Sequence, residues 1–124
     1  MRLQEIMIRD IQIIRASASI AEARAAMKSK RVHHLLVRDG REIVGVVSQR
    51  DFGVRPGTAE KQRVADVMAP DLVTGKPNTT VQQAARLCRG RSIGCLPVLD
   101  GHKPVGIVTT TDLLALLGRR ARRR

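Results

Sequence analysis

The stretch from Leu35 to Asp51, Leu-Leu-Val-Arg-Asp-Gly-Arg-Glu-Ile-Val-Gly-Val-Val-Ser-Gln-Arg-Asp, returns 61 residues later as Leu-Pro-Val-Leu-Asp-Gly-His-Lys-Pro-Val-Gly-Ile-Val-Thr-Thr-Thr-Asp from Leu96 to Asp112. In each version an apolar run leads into Asp-Gly, the dipeptide that accepts the positive φ angles of a tight hairpin turn, and a second apolar run follows. Those second runs, Ile43 to Val47 and Val105 to Val108, are continuously apolar apart from one glycine each, the pattern of strands covered on both faces. Gly45 and Gly106 stand inside them, where a missing side chain marks a bulge or the close approach of a backbone or ligand.

Working outward, the same offset aligns the two halves without a gap from Arg2/Arg63 to Phe52/Leu113, with identities that include Met7/Met68, Ala23/Ala84, Val37/Val98, Gly45/Gly106 and Asp51/Asp112. Self-similarity at one period is the signature of a repeat, and two copies point to a pseudo-symmetric pair rather than a solenoid. The first repeat with its connector is expected over residues 1–62, the connector being Gly53 to Gln62 with Pro56 and Gly57. The second repeat is expected over 63–118, and a basic tail over 119–124.

Upstream of each hairpin the order of elements is legible. Ile11 to Ile14 and Leu72 to Thr74 are short apolar or β-branched runs. Ser19 with Glu22, and Thr80 with Gln83, have capping-box spacing. Ile20, Ala23 and Met27, then Val81, Ala84 and Cys88, fall on one helical face, in helices expected to end near Lys30 and Gly90. Helices are also expected from Asp51 onward and over Asp112 to Leu117, the latter stopping at Gly118. Each copy therefore reads strand, helix, strand, strand, helix, an α/β fold of small mixed sheets packed with helices.

Composition narrows the function. The chain has 124 residues, 23 Lys plus Arg against 11 Asp plus Glu, and one aromatic residue, Phe52. Its apolar stretches fall far short of the ~20 residues of a membrane span, and Met1 to Asp10 is mixed and polar rather than a secretory leader, so a cytoplasmic protein with no membrane partner is expected. Five arginines at Arg119, Arg120, Arg122, Arg123 and Arg124 supply much of the net charge of +12. Lys28/Arg89 and Lys30/Arg91 are repeat mates that, with Arg31 and Arg86, could meet a polyanion in a salt-dependent way. A single aromatic residue leaves no base-stacking platform. His33, His34, His102, Cys88 and Cys95 show no ligand spacing that recurs in both copies, so no metal site is expected. Neither a Gly-x-Ser-x-Gly elbow nor a phosphate-binding Gly-x-x-x-x-Gly-Lys loop is present, and no enzyme is expected.

The segments Gly45-Val46-Val47-Ser48-Gln49-Arg50-Asp51 and Gly106-Ile107-Val108-Thr109-Thr110-Thr111-Asp112 resemble the closing signature of the CBS domain, Gly-apolar-x-Ser/Thr-x-x-Asp. Leu96-Pro97-Val98-Leu99-Asp100 is similar to that family's strand before the hairpin, and Asp66-Val67-Met68 to its lead-in. The resemblance covers the chain from about Arg2 to about Leu117 and implies a tandem pair, or Bateman module. Such modules bind adenine nucleotides or adenosyl ligands in clefts between repeats and often form homodimers. AMP, ADP, ATP or S-adenosylmethionine is the implied ligand, no cofactor is required, and an effector protein would read the bound state.

The residues themselves allow two roles for each motif aspartate. Asp51 or Asp112, at a helix start, could accept hydrogen bonds from both cis hydroxyls of a ribose, with Ser48 or Thr109 and free helix N–H groups turned to a phosphate. Equally, Ser/Thr-x-x-Asp is close to a capping box. An adenine slot would be aliphatic, lined by Ile13, His34, Leu35, Thr74, Leu96 and Pro97. Leu36 stands where the second copy has Pro97, and Ile13-Ile14 where it has Thr74-Gly75, so the first cleft is expected to be the more apolar along one wall; Arg50 beside Asp51 favours phosphate there. The competing readings are polyanion or nucleic-acid binding through the basic surface, and a ligand-free dimerisation module.

Overall fold

The structure is a computed structural model that describes residues 1–52, 61–68, 72–90 and 93–122. Most of the expected connector, including Pro56 and Gly57, lies outside the described residues, as do Arg91 and the side chains of the tail from Arg119 to Arg124. The elements run α1 (Leu3–Ile6), β1 (Ile13–Arg15), α2 (Ile20–Lys30), β2 (His34–Asp39), β3 (Glu42–Ser48), a 3-10 turn (Gln49–Phe52), α3 (Val64–Val67), α4 (Val81–Cys88), β4 (Cys95–Asp100), β5 (Lys103–Thr109) and α5 (Thr110–Arg122).

Local signals account for the two long repeat helices. The Ser19 hydroxyl accepts the Glu22 amide at 3.1 Å at the start of α2. Thr80 and Gln83 bond reciprocally at the start of α4, at 3.1 and 2.9 Å, a complete capping box that satisfies two otherwise orphaned donors. Ile20, Ala23 and Met27 are buried along α2, and Val81 and Ala84 along α4. Both Asp-Gly hairpins form, with Gly40 at φ 63° and Gly101 at φ 64°.

The chain divides into two compact units, Ile11–Leu72 and Met1–Asp10 with Val73–Arg124. They are not the sequence repeats taken whole. In the unit built on the second copy, the Leu3 amide donates to Thr79 O at 2.8 Å, the Val81 amide to Met1 O at 2.9 Å, and Ile8 and Ile107 exchange backbone bonds at 2.8 and 3.0 Å. Leu3 is fully buried in that core beside Val81, Ala84, Leu96, Val98, Val108 and Leu113. The unit built on the first copy is completed in the same manner by Val64, whose amide donates to Ala18 O at 2.8 Å and whose side chain joins Ile20, Ala23, Met27, Leu35, Val37, Val47 and Phe52. Each core thus takes its lead-in helix from the segment preceding the other copy. The lead-ins, α1 and α3, escape a periodicity search because four residues make barely one turn. Their local mark is an acidic residue three positions after the cap: Glu5 accepts the Arg2 amide, and Asp66 accepts the Arg63 amide at 3.2 Å.

The sheets differ for a reason written in one residue. In the first copy β1 runs parallel to β2, with Ile13, Ile14 and Arg15 opposite Leu36, Val37 and Arg38, and β2 runs antiparallel to β3. The Leu36 amide donates to Gln12 O at 3.0 Å. Its mate in the second copy is Pro97, which has no N–H to give. The strand expected over Leu72 to Thr74 does not form, and the parallel pairing shrinks to Gly75 opposite Val98, held by Gly75 N–H to Pro97 O and Leu99 N–H to Gly75 O, both at 2.9 Å. What remains is the antiparallel pair β4-β5.

One helical expectation is corrected and another is met only in part by the described residues. Asp51 and Phe52 lie in a 3-10 turn, Gln49–Phe52, and the expected helix from Asp51 onward otherwise falls on residues 53–60, outside the described residues. The last helix starts at Thr110 and continues through Gly118 to Arg122, because the Arg and Ala residues that follow are strong helix formers and one glycine weakens a helix by only about 1 kcal/mol.

The strand glycines serve both roles expected of them. Register shifts opposite Val37/Arg38 and Val98/Leu99 leave Val44 and Val105 as bulged residues. A Cβ on Gly45 would lie 2.7 Å from Met68 Sδ, and one on Gly106 would lie 2.7 Å from Met7 Sδ and 2.9 Å from Ile8 O. The repeated Met and the repeated Gly are therefore one packing unit, made twice.

Candidate functional site

The Ser/Thr-x-x-Asp motifs sit where the hairpins end. Ser48 closes β3 opposite His34 at the start of β2, and Thr109 closes β5 opposite Cys95 at the start of β4. In the first copy the Asp51 carboxylate turns back on its own motif, accepting the Ser48 amide at 2.7 Å and the Ser48 hydroxyl at 3.3 Å. In the second copy the polarity is reversed: the Thr109 hydroxyl accepts the Asp112 amide at 3.2 Å, and the exposed Asp112 carboxylate makes no hydrogen bond among the described residues. Thr110 anchors the turn, its amide and hydroxyl reaching Gly94 O at 3.1 and 3.3 Å. Asp112 thus stands in the first turn of a thirteen-residue helix, α5, where a carboxylate is favoured by the dipole and remains able to accept two hydroxyl donors.

Electrostatics mark the same end of each hairpin. Burial holds His34 below its ordinary value of 6.5, His33 and Arg50 push it the same way, and Asp51 opposes them. His34, Arg50 and Asp51 are therefore within electrostatic reach of one another. Its mate Cys95 is buried, and that burial, with Cys88 nearby, pushes the thiol up to about 12, so it is protonated and unreactive at neutral pH.

The expected slot residues separate into two groups. Leu35 and Leu96 are each 1% exposed and belong to the two cores, so their side chains are committed to packing. Pro97 is buried and Thr74 half-buried on the second-copy ladder beside Gly75, while Ile13 lies 42% exposed on β1. Arg50 is exposed beside Asp51. Among the described residues no three His, Cys, Asp or Glu side chains converge as a metal site, and no helix is long and apolar enough to cross a membrane. One constellation was not anticipated: the Arg24 guanidinium lies 5.3 Å from the Phe52 ring centroid and donates to Phe52 O at 3.0 Å. Its only sequence signal is that the repeat mates, Ala85 and Leu113, can do neither.

Comparison with known proteins places this geometry. The chain is 29% identical over 114 residues to the CBS domain-containing protein YhcV of Bacillus subtilis, covering 90% of this chain and 81% of that protein. It is 31% identical over 117 residues to a homoserine O-acetyltransferase of Methanohalobium evestigatum, covering 93% of this chain but only 24% of the relative, so the likeness is to about a quarter of that enzyme. In fold it resembles the crystal structure of CBSX2 in complex with AMP, with a TM-score of 0.76 at 23% identity, covering 95% of this chain and 97% of the other. The CBS domain model matches twice, over residues 3–52 and 64–119; with both signatures closing their hairpins as that duplication requires, the chain belongs to the CBS domain family as a tandem pair.

Proposed function

We propose that this CBS pair is a regulatory sensor of an adenosyl ligand, AMP, ADP, ATP or S-adenosylmethionine, with Thr109 and Asp112 as the principal binding residues. The observation that carries the reading is the open Asp112 carboxylate in the first turn of α5, against the engaged carboxylate of Asp51. Asp112 would hold the ribose hydroxyls and the N–H groups at the start of α5 would face phosphate. Thr74 and Pro97 would flank the base, with the backbone of Leu96 beside them. The first copy would take a ligand more weakly, through Ser48, Arg50 and His34, because Asp51 must first release Ser48. Leu35 and Ile13 would contribute there only at the margin of the core. The AMP in the CBSX2 structure supports the ligand class.

Occupancy is transmitted if the ligand prefers one of two arrangements of the pair or of a homodimer, since only differential affinity shifts an equilibrium. In this reading an effector reads the bound state, the setting is cytoplasmic, and the CBS pair itself performs no catalysis. A thermal-shift series with AMP, ADP, ATP, S-adenosylmethionine and GTP tests this. At a hundred times Kd a ligand stabilises by about 2.7 kcal/mol, a rise of several degrees. The expected result is an adenosyl-selective rise that Asp112→Asn abolishes and Asp51→Asn leaves largely intact. A flat series in wild type would instead favour a ligand-free dimerisation module.

A further inference from the structure

A cavity of about 400 Å³ opens within the first-copy unit, lined by neither Ser48 nor Asp51 although Gln49 of the same motif contributes to it, and its polar lining is Arg24, Lys28, Arg31, His33 and Gln49. Among the described residues no carboxylate lines it. Met27 and Val32 form its apolar part, and its volume is within the range of small-molecule sites. Arg24 and Lys28 come from the body of α2, Arg31 from its C-terminal cap, and His33 from the turn into β2.

Cations near a helix C-terminus are favoured by the dipole alone, but three features exceed that explanation. The first is backbone conformation. Arg31 has φ 56° and ψ 44°, and it is the sole non-glycine residue at positive φ among the described residues. It closes α2 in a Schellman-type turn, with Val32 N–H to Met27 O at 3.0 Å, at a position where glycine is the unstrained choice. The turn after α4 uses Gly90, at φ 73°. Arginine here stabilises the turn less well than glycine would, so the residue present is not the one the turn itself favours. The second is preorganisation: the Arg24 head is held by Phe52 O and lies near the Phe52 ring. The third is divergence between copies. The mates of Arg24, Arg31, His33 and Gln49 are Ala85, Ser92, Gly94 and Thr110, and only Lys28 keeps a cation, Arg89. The second copy is basic in this stretch too, through Arg86, Arg89 and Arg91, but it lacks the set of Arg24, Arg31 and His33, so that arrangement is particular to the first copy.

We infer that this cavity is a binding site for a phosphoryl group, inorganic or carried on a small metabolite, held by Lys28 and Arg31 with Arg24 as a fixed cation at its wall. Guanidinium and ammonium donors on a doubly charged oxyanion form short, strong bonds, and the apolar part at Met27 and Val32 accommodates the body of a phosphorylated molecule. This assignment does not depend on the adenosyl reading.

Calorimetric titration with inorganic pyrophosphate, at ionic strength balanced with chloride, tests it on wild type, Arg31→Gly, Lys28→Gln and Arg89→Gln. Saturable binding is expected in wild type. Arg31→Gly and Lys28→Gln should each raise Kd about tenfold or more, as loss of one charge-assisted bond requires, whereas Arg89→Gln should leave it within about twofold. Arg31→Gly should at the same time raise the ligand-free melting midpoint by relieving the left-handed turn, a combination that simple destabilisation does not produce. Asp51→Asn and Asp112→Asn should retain pyrophosphate binding, so failure of the adenosyl reading would leave this result standing. Non-saturable binding, unchanged affinity in Arg31→Gly, or equal loss in Arg89→Gln would overturn the assignment.

Discussion

The two CBS copies carry the same closing motif and use it in opposite directions. In the first, Asp51 accepts from the amide and hydroxyl of Ser48; in the second, Thr109 accepts from the amide of Asp112 and leaves the carboxylate exposed. The motif spacing permits both, because a residue and its third neighbour can cap in either sense. The intervening residues differ: Gln49 and Arg50 lie in a short 3-10 turn, while Thr110 is tied to Gly94 and opens a long α-helix. Duplication therefore preserved a frame and released its side chains to diverge. The cavity at Arg24, Lys28 and Arg31 follows the same rule in reverse, being elaborated in the first copy and absent from the residue pattern of the second.

The largest expected effect tests the shared frame. Leu3 is 0% exposed in the core of the second-copy unit, and replacing a buried leucine by alanine costs about 2–5 kcal/mol. Leu3→Ala should lower the urea midpoint accordingly, and Val64→Ala, which removes fewer carbons from the mirrored position, should lower it less. A negligible effect of Leu3→Ala would break the description of the first ten residues as part of that core. The next effect separates the copies. Gly106→Ala drives a methyl against both Met7 Sδ and the Ile8 carbonyl, whereas Gly45→Ala meets only the flexible Met68 side chain. Overpacking of the first kind costs about 1–3 kcal/mol, and Gly45→Ala should cost less in the same denaturation assay, since a methionine can change rotamer where a backbone carbonyl cannot.

The smallest effect sharpens the comparison through pH. His34 and Cys95 occupy the same repeat position, and burial shifts them in opposite directions. A histidine whose folded value is depressed binds fewer protons than the unfolded chain below 6.5, so its contribution is full above that value and declines as the pH falls through it. The thiol, raised from 9.0 to about 12, loses its contribution as pH climbs above 9. His34→Gln should flatten the acid limb of a melting-temperature profile, and Cys95→Ala the alkaline limb. In the folded protein at pH 8, Cys95 should also react with iodoacetamide more slowly than the half-buried Cys88.

Much of this protein was legible because the signals are local. Hairpins announced by Asp39-Gly40 and Asp100-Gly101, caps at Ser19 and Thr80, and a 61-residue repeat are all properties of near neighbours or of simple self-comparison. The resemblance to the CBS domain drawn from the closing motifs agrees with the family match. The chain also contained, in Pro97, the reason its second sheet lacks a full parallel strand, but that reason has force only once Leu36 N–H is seen bonded to Gln12 O. Which lead-in helix completes which core rests on bonds such as Leu3 to Thr79, far apart in sequence, and no local propensity encodes such a pairing. The same holds for the direction of each Ser/Thr-Asp bond and for the gathering of Arg24, Lys28, Arg31 and His33 around one cavity. The sequence alone determined the hairpins, the two capped repeat helices and their duplication, because these depend on residues a few positions apart; tertiary structure alone decided that Leu3 completes the core of the second copy and Val64 that of the first, because such pairings depend on which distant groups burial brings within bonding range.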